Sequence, residues 1–522
     1  MELVKRTIHM DRAKVSGGTQ ITLEDDRNIP DAKPDVNTLV YENGQVKIEE
    51  VRPFEEHVTV KGKLLYKILY QAADGDTALA GIEGEIPFEE QIYMEGVTPE
   101  DTLEACAVLE DLSTGMINSR KINVQAVVNL NVQAEELYEE EAVVDFEGDA
   151  SVEYRRQPME LTQLAIRKND IFRLKEEIML PSDYPNIFQI IFSSATLRDV
   201  EFKLLDEKIS VQGEVHLFIL YEGEGEEQPI RSFETLLPFG GTLECYGCKD
   251  QMIPDISYEI GHLELDTKPD QDGEERALYL EMVLDIKMHL YEEERTEILT
   301  DVYGVTQEVT AQVRPAEYRQ LLARNSGKCK VTEHIQLQPA EAGVLQILHS
   351  EGNVEVDDTS LVEDGIAVQG SIRVKVLYVT GEDSMPYKSM QQQIPFSYTL
   401  EIPGMTEQDR YTVHPELEQL SVTMLDGQEL DVKGIVGLDT VVFRQLVMDA
   451  IQELLIREQD PEVISRLPGI AVYVVQPGDS LWKIGKRYYV SVDAIREINH
   501  LTSDEIRPGD KLLIVKYPNG DG

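Results

Sequence analysis

Hydrophobic and polar residues alternate with a period of two along three separate stretches of the chain. In residues 57–70, one set of alternate positions is almost entirely apolar, whereas the other set is rich in threonine and lysine. A strand points successive side chains to opposite faces, so this pattern predicts a strand with one buried face. Residues 208–221 and 365–378 show the same alternation, and we predict a strand in each.

These stretches are copies of one repeating unit. Consecutive copies lie 151 and 157 residues apart, and four strand positions are identical in all three copies. A Pro-Phe pair follows each strand at a constant distance, which indicates three similar domains. The shared positions are Val60, Val211 and Val368; Gly62, Gly213 and Gly370; Leu69, Leu220 and Leu377; Tyr70, Tyr221 and Tyr378; and Pro87, Pro238 and Pro395.

The residues around each repeated strand predict antiparallel sheets. We expect the interior glycine to mark a bend or bulge in a long strand, and the Gly- and acid-rich stretch after each tyrosine to form a hairpin loop. A polar insertion at residues 266–276 should lie in a surface loop. The fold class is therefore mainly β, with three antiparallel sandwich- or barrel-like units over residues 1–150, 151–305 and 306–445.

The pattern changes after the third unit. Residues 446–469 form an expected linker, and their apolar spacing is compatible with a helix. Residues 470–516 predict a small module with the order strand, helix, helix, strand, followed by a tail at 517–522. Within this module, Asp479 or Ser480 can cap the first helix through a side-chain oxygen.

Charge separates the two parts of the chain. With 48 basic and 98 acidic residues, the net charge is −50, which disfavours binding to nucleic acid or to an anionic membrane surface. Residues 1–469 carry −50, whereas residues 470–516 carry +1. The most apolar run, residues 187–192, is too short to span a membrane. The charged N-terminus lacks the apolar stretch of a signal peptide, so we expect a cytoplasmic protein.

The sequence contains no convincing motif for catalysis or for metal binding. Cys245 and Cys248 have C-x-x-C spacing, but they align with apolar residues in the other two copies, so we expect them to be structural. Cys106 and Cys329 stand alone, which fits a reduced compartment. The nine histidines form no metalloprotease motif, and no nucleophile motif occurs. The sequence therefore predicts no cofactor, no metal site and no enzymatic activity.

The repeating unit resembles the SPOCS family of spore-coat morphogenetic proteins. The resemblance rests on the three copies and on the segment Ile29-Pro-Asp-Ala-Lys-Pro-Asp35, just before the first repeated strand. It covers most of residues 20–445, and the matching positions are apolar and structural. The resemblance implies a role in sporulation and transfers no catalytic residue to this chain.

The C-terminal module closely resembles a LysM domain. The match runs from Tyr473-Val-Val-Gln-Pro-Gly-Asp-Ser-Leu-Trp482 to Ile506-Arg-Pro-Gly-Asp-Lys-Leu512, with Gly485 where alanine is usual. This resemblance implies a shallow groove for glycans that contain N-acetylglucosamine. The groove would lie between two loops, which contribute Gly478, Asp479, Ser480 and Leu481 from one side and Ser503, Glu505 and Ile506 from the other.

The whole order, with three SPOCS-like units before a LysM-like module, resembles the SipL-like family. That resemblance implies that the module docks on a coat-basement morphogenetic ATPase, in the mother-cell cytoplasm at the forespore surface, together with other coat proteins. Trp482, the only tryptophan, is an expected interface anchor, with completion of the module's core as the alternative. Ile470 is a second expected contact, with a plain linker role as the alternative.

We therefore predict a non-catalytic scaffold of spore-coat assembly. The alternative is a cell-wall protein whose module binds peptidoglycan through the glycan groove. The expected lack of a signal peptide favours the scaffold, because peptidoglycan lies outside the cell membrane. An enzyme with its site between the β units has no supporting motif.

Overall fold

The protein consists of three units of six long strands and a small C-terminal module. The computed structural model describes residues 2–73, 79–147, 152–225, 230–270, 272–338, 343–382, 384–460 and 468–516. The first unit contains β1 (Glu2–Asn28), β2 (Val36–Phe54), β3 (His57–Ala72), β4 (Leu79–Tyr93), β5 (Thr102–Asn118) and β6 (Lys121–Glu147). The second contains β7 (Val152–Met179), β8 (Ile187–Leu205), β9 (Lys208–Gly223), β10 (Ile230–Glu244), β11 (Ile253–Pro269) and β12 (Glu275–Gly304). The third contains β13 (Glu308–Gln336), β14 (Val344–Val362), β15 (Gly365–Thr380), β16 (Tyr387–Glu401), β17 (Arg410–Asp426) and β18 (Glu429–Arg457).

Each unit is a sandwich of two three-stranded antiparallel sheets. In the first unit, one sheet has the order β2-β3-β4 and the other has the order β1-β6-β5, and the second and third units repeat both orders. Val60 and Leu64 of β3 share one apolar core with Val124 and Val128 of β6, and all four side chains are fully buried. The period-two alternation therefore buries one face of each sheet against the other, which confirms the predicted fold class.

The repeated glycine makes room for an aromatic ring on the neighbouring strand. Gly62 of β3 pairs with Phe88 of β4 without a register shift, and the other two copies repeat this pairing. A Cβ atom on Gly213 would lie 2.9 Å from a ring carbon of Phe239. In the second unit, a β-bulge lies instead on β8, which pairs with the other edge of β9, at residues 198–201. The repeated glycine therefore lies opposite a bulge on the neighbouring strand in all three units, and the alternative of a bend in its own strand stays a prediction.

The repeated tyrosine binds the chain segment just before β2 in the first unit and just before β8 in the second. The Tyr70 hydroxyl donates to the carbonyl of Pro34 at 3.0 Å, and the Tyr221 hydroxyl donates to the carbonyl of Pro185 at 3.1 Å. Both rings are fully buried. The proline of each Pro-Phe pair lies on an edge strand, which is where a sheet tolerates a residue without an N–H donor.

Two segments that the sequence predicts to lie outside strands are largely parts of strands. The expected helical linker is wrong over residues 446–457, because β18 continues to Arg457 and pairs with β13 over this length. Pairing with the distant strand β13 leaves no signal in the local spacing of apolar residues. Residues 461–467 of the expected linker lie outside the described residues. The expected loop at 266–276 is shorter than predicted, because β11 continues to Pro269 and β12 begins at Glu275, and residue 271 lies outside the described residues. Parts of the expected hairpin loops, residues 74–76, 226 and 383, also lie outside the described residues, and so does the tail at 517–522.

Lysine side chains connect the first unit to both of its neighbours. Lys67 of the first unit donates from Nζ to the carbonyl oxygen of Ser193 in the second unit at 3.0 Å. Lys375 of the third unit donates to the carbonyl oxygen of Glu42 in the first unit at 2.9 Å. Both lysines occupy the same repeat position, and so do the two acceptor residues. The same contact is therefore used twice around the assembly of units.

An apolar cluster lies where the three units meet. Leu69, Leu220 and Leu377 occupy one repeat position and are fully buried in this cluster. Phe218 of the second unit, at the repeat position of the two lysines, stacks on His349 of the third unit with ring centroids 4.1 Å apart. This contact joins the second unit to the third, so the three units close into a ring.

A second cluster joins the long strands of the three units. Met10, Leu161 and Tyr318 again share one repeat position and pack into a single buried cluster. Next to it, Arg319 of the third unit donates to the Asp11 carboxylate of the first unit at 2.7 Å. Equivalent residues thus meet at two levels around one approximate threefold axis.

Replacing the repeated glycine should loosen the second unit. We expect Gly213→Val to lower the free energy of unfolding by about 1–3 kcal/mol, because the added carbons collide with Phe239. Gly115→Val is the matched control, because nothing lies within 4 Å of a Cβ at that strand position. Thermal unfolding of both variants checks this, and equal midpoints for the two would contradict it.

Candidate functional site in the C-terminal module

The C-terminal module has the predicted order of strand, helix, helix and strand. The strands β19 (Ile470–Val474) and β20 (Lys511–Val515) pair antiparallel, and the helices are α1 (Leu481–Tyr488) and α2 (Val492–Ile498). Ser480 caps α1, since its Oγ accepts from the Lys483 N–H at 3.2 Å. Ser491 caps α2 in the same way, with its Oγ 3.1 Å from the Ala494 nitrogen.

The first loop of the expected glycan groove is held by the Asp479 carboxylate. Its Oδ2 accepts from the Tyr473 hydroxyl at 2.7 Å and from the Gln476 N–H at 2.8 Å. These hydrogen bonds, with the Tyr473 hydroxyl as the main cause, hold the pKa of Asp479 below its ordinary value. Gly478 takes a positive φ of 85° in the turn, and its carbonyl accepts from Lys483 Nζ at 2.9 Å. Asp479 therefore shapes the loop, as a turn-forming aspartate does.

The other expected groove residues divide into exposed and packed side chains. Ser503 and Glu505 are exposed, whereas Leu481 is fully buried and Ile506 packs against the module's core. The two loops are tied together through the backbone of Val475, which bonds to the turn before β20 at 2.9 Å in both directions. The exposed part is a polar surface without a net positive charge, which suits a neutral sugar better than an anion.

The outer face of β19 is apolar and exposed. Ile470, Val472 and Val474 are 67%, 66% and 43% exposed, and they lie on one face of the strand because they alternate with Ala471 and Tyr473, which pack on the core. We call these three side chains the outer strand face. The sequence analysis predicts a contact for Ile470 alone, although the period-two alternation of this short strand also marks Val472 and Val474.

Trp482 lies between the module and the second unit. Its ring meets Tyr303 edge-on with centroids 4.8 Å apart, and its Nε1–H donates to Asp301 Oδ2 at 2.8 Å. The Arg155 guanidinium lies 5.4 Å from the Trp482 ring centroid. Trp482 is thus only partly buried and does not belong to the module's own core cluster. The residues around Trp482 are not predictable from the sequence, since they lie in another unit and no local pattern connects them to this position.

A polar chamber of about 1590 Å³ lies between the three units. Several of its charged side chains already have partners; for example, Arg373 donates to Glu355 at 3.0 Å and to the Leu109 carbonyl at 2.9 Å. Paired groups leave few free donors for a ligand. The chamber therefore offers weaker support for a binding site than the C-terminal module does.

Three side chains near the contact of the first two units are of types that can bind a metal ion. Among the described residues, Glu104, Glu135 and His289 are the only such group, with ligand atoms within 4.8 Å of one another. The Arg167 guanidinium lies 2.8 Å from Glu135 Oε2 and so supplies a positive charge at that place. An ion pair between units explains this cluster without a metal.

The two cysteines with C-x-x-C spacing fill apolar positions of the second unit. Cys245 and Cys248 are fully buried in its core and lie in the turn after β10. Burial raises the pKa of the Cys248 thiol to about 11, so it is a poor nucleophile at neutral pH. The predicted structural role of this pair agrees with these positions.

The first groove loop should respond to pH. Because the folded-state pKa of Asp479 is lowered, its contribution to the module's stability is present above the unfolded pKa and is lost as the pH falls through the folded pKa. We expect Tyr473→Phe to raise the pKa of Asp479, and Ser503→Ala to leave it unchanged. Carboxyl-carbon NMR titration measures this, and an unshifted Asp479 in the Tyr473→Phe variant would contradict it.

Comparison with known families separates the chain into the same parts. The family model described as SipL, SPOCS domain, matches residues 35–117, 186–268 and 343–425. The LysM domain model matches residues 473–515. Each SPOCS match begins one residue before β2, β8 or β14 and ends within β5, β11 or β17. No solved structure matches the chain significantly.

Curated relatives match short stretches of the chain. YdhD of Bacillus subtilis (strain 168), named as a candidate sporulation-specific glycosylase, is 52% identical over 46 residues, which are 9% of this chain and 11% of that protein. The candidate endopeptidase p60 of Listeria welshimeri is 46% identical over 43 residues, or 8% of each chain. The uncharacterized protein YkzQ of Bacillus subtilis (strain 168) is 42% identical over 43 residues, or 8% of this chain and 57% of that protein. The chain thus spans about a tenth of the first two relatives.

Among the described residues, no helix is long and apolar enough to cross a bilayer. The repeated sandwich units, the βααβ module and the family matches agree on one domain order. The chain is therefore a sporulation-related protein of SipL-like architecture, with three SPOCS domains followed by a C-terminal LysM domain.

Proposed function

We propose that this protein is a non-catalytic scaffold of spore-coat assembly whose LysM domain docks on a coat-basement morphogenetic ATPase. In this proposal the protein works in the mother-cell cytoplasm at the forespore surface. The SipL-like domain order supports the context. The observation that carries the docking step is the outer strand face of the LysM domain, which is apolar and accessible.

The outer strand face suits contact with a protein. Ile470, Val472 and Val474 form a continuous apolar strip on a domain whose net charge is close to neutral. Contiguous exposed apolar groups are favoured at protein interfaces, where water is expelled from both partners. The opposite strand adds Leu513 and Val515, which pair with Val472 and Ile470. A partner can therefore cover an apolar surface that extends across both strands.

The three SPOCS domains suit a structural role. Their shared positions are glycines, tyrosines, prolines and apolar residues that build the sandwiches or the contacts between units. A closed ring of three domains offers several separate outer surfaces on one rigid body. Several modest contacts on one body raise the avidity for a surface assembly.

Glycan binding through the groove loops is the second candidate function. The exposed polar groups of Ser503 and Glu505 support it, as does the usual role of LysM domains. It requires that the protein meets peptidoglycan, which the proposed mother-cell location does not provide. The two functions use different surfaces of one domain, so substitutions can separate them.

Substitution on the outer strand face should weaken capture of the ATPase. We expect Ile470→Asp in the full chain to weaken binding to the purified ATPase about tenfold, because a carboxylate must be desolvated where an apolar side chain was buried. Glu505→Ala, on the groove loop, should bind the ATPase like the unmodified chain. Surface plasmon resonance measures both affinities.

Purified peptidoglycan and N-acetylglucosamine oligomers provide the opposing test. The scaffold proposal predicts no retention of the full chain on either glycan. Retention that is lost in Glu505→Ala, together with equal ATPase binding by Ile470→Asp and the unmodified chain, would favour the glycan function and contradict docking through the outer strand face.

A further inference from the structure

We propose that Trp482 docks the LysM domain on the second SPOCS domain and acts on partner binding as a positioning residue. The docking itself follows from contacts within the chain, and only its effect on the partner rests on the proposed function. In this proposal, Trp482 belongs to an internal interface, and the outer strand face is left for the ATPase.

The Asp301 carboxylate holds two side chains of helix α1. Its Oδ2 accepts from Trp482 Nε1 at 2.8 Å, and its Oδ1 accepts from Lys486 Nζ at 2.6 Å. Trp482 and Lys486 lie four residues apart and so share one side of the helix. A charged acceptor strengthens both hydrogen bonds, and the two bonds together fix the rotation of α1 above the end of β12.

Tyr303 contacts the same helix and the turn that follows it. Its side chain is only 2% exposed, its ring meets Trp482 edge-on, and its hydroxyl donates to the Val490 carbonyl at 2.9 Å. An edge-to-face pair with a satisfied hydroxyl is a specific contact between aromatic residues. Trp482 lies in the first turn of α1 and Val490 lies just after its last residue, so Tyr303 contacts the LysM domain at both ends of this helix.

Gly485 fits this docking contact. A Cβ atom at this position would lie 2.5 Å from the Tyr303 hydroxyl oxygen and 2.6 Å from the Val490 carbonyl oxygen. Alanine would be expected here from the LysM pattern, and glycine is an unfavourable residue inside a helix. The close approach of Tyr303 provides a physical reason for this departure from the pattern.

The other two SPOCS domains lack the docking residues, although they share the local backbone. Each has a β-bulge at the same place on its last long strand. Where the second domain has Tyr303, the first has Glu147 and the third has Leu455. Where the second has Arg155, the first has Val4 and the third has Gln312. The equivalents of Asp301 are Asp145 and Glu453. Only the second domain combines the carboxylate, the tyrosine and the arginine.

Docking leaves the proposed partner surface free. In the docked arrangement, Ile470, Val472 and Val474 remain between 43% and 67% exposed, whereas the Trp482 ring is covered by Tyr303 and Arg155. The ATPase therefore meets a LysM domain of fixed orientation. Loss of Trp482 would weaken the capture of this partner by releasing the domain, even though the partner never touches the indole ring.

Trp482 is the only tryptophan in 522 residues, so its fluorescence reports on this interface alone. We expect Asp301→Ala and Tyr303→Ala, each in the full chain, to raise the acrylamide quenching constant about twofold or more as the indole becomes accessible. Glu453→Ala, at the equivalent position in the third domain, is the matched control and should change nothing. Circular dichroism verifies that the variants stay folded. Unchanged quenching in both Asp301→Ala and Tyr303→Ala would overturn the docking.

Binding of the purified ATPase separates positioning from direct contact. Positioning predicts that Asp301→Ala weakens binding with Trp482 still present, in the same direction as Trp482→Ala. Direct contact predicts loss in Trp482→Ala alone, and that result would overturn the positioning role. If the unmodified chain fails to bind the ATPase, the positioning role and the proposed function both fail, while the quenching result still decides the docking.

Discussion

Contacts between equivalent residues of the three SPOCS domains hold the ring together and, through it, orient the LysM domain. Within one sandwich, the period-two alternation buries only one face of β3, and Leu69 points to the other face. Leu69, Leu220 and Leu377 are nevertheless fully buried, because the three domains meet there. An isolated domain would expose this leucine to water, at a cost of about 1.5–3 kcal/mol for each side chain. Closing the ring therefore stabilises all three domains together.

The ring of SPOCS domains also determines the orientation of the LysM domain. Its contact residues Asp301 and Tyr303 lie near the end of β12, on a long strand whose earlier part is fixed by the cluster around Leu161. A small domain attached through a flexible segment alone would sample many orientations. Docking on a ring strand instead holds the outer strand face in one direction, as the proposed scaffold role requires.

The sequence predicts the local structure well because the relevant signals are periodic. Alternation identifies β3 and its two copies, and the serine before Leu481 marks the start of α1. Pairing between distant segments leaves no such signal. The strand at residues 446–457 depends on β13, more than a hundred residues earlier, and local spacing there suggests a helix. The repeated glycine signals a special position, but only the structure reveals that a phenylalanine ring occupies the space.

The residues of the candidate site also divide into those that a local pattern predicts and those that only the structure reveals. The loop residues Gly478 and Asp479 follow from the LysM pattern, whereas the contact of Trp482 with Asp301 spans 181 positions in the chain. One signal for the ring was present in the sequence, since the identical leucine next to the repeated tyrosine falls on the wrong face for the sandwich core. An apolar residue that is out of phase in every copy indicates a contact between copies.

Differential scanning calorimetry of the full chain tests the closed ring most directly. If the three SPOCS domains are one cooperative body, they unfold in a single transition whose calorimetric and van 't Hoff enthalpies agree. Three separate transitions, each with the enthalpy of one domain, would show that the domains are independent and would contradict the ring.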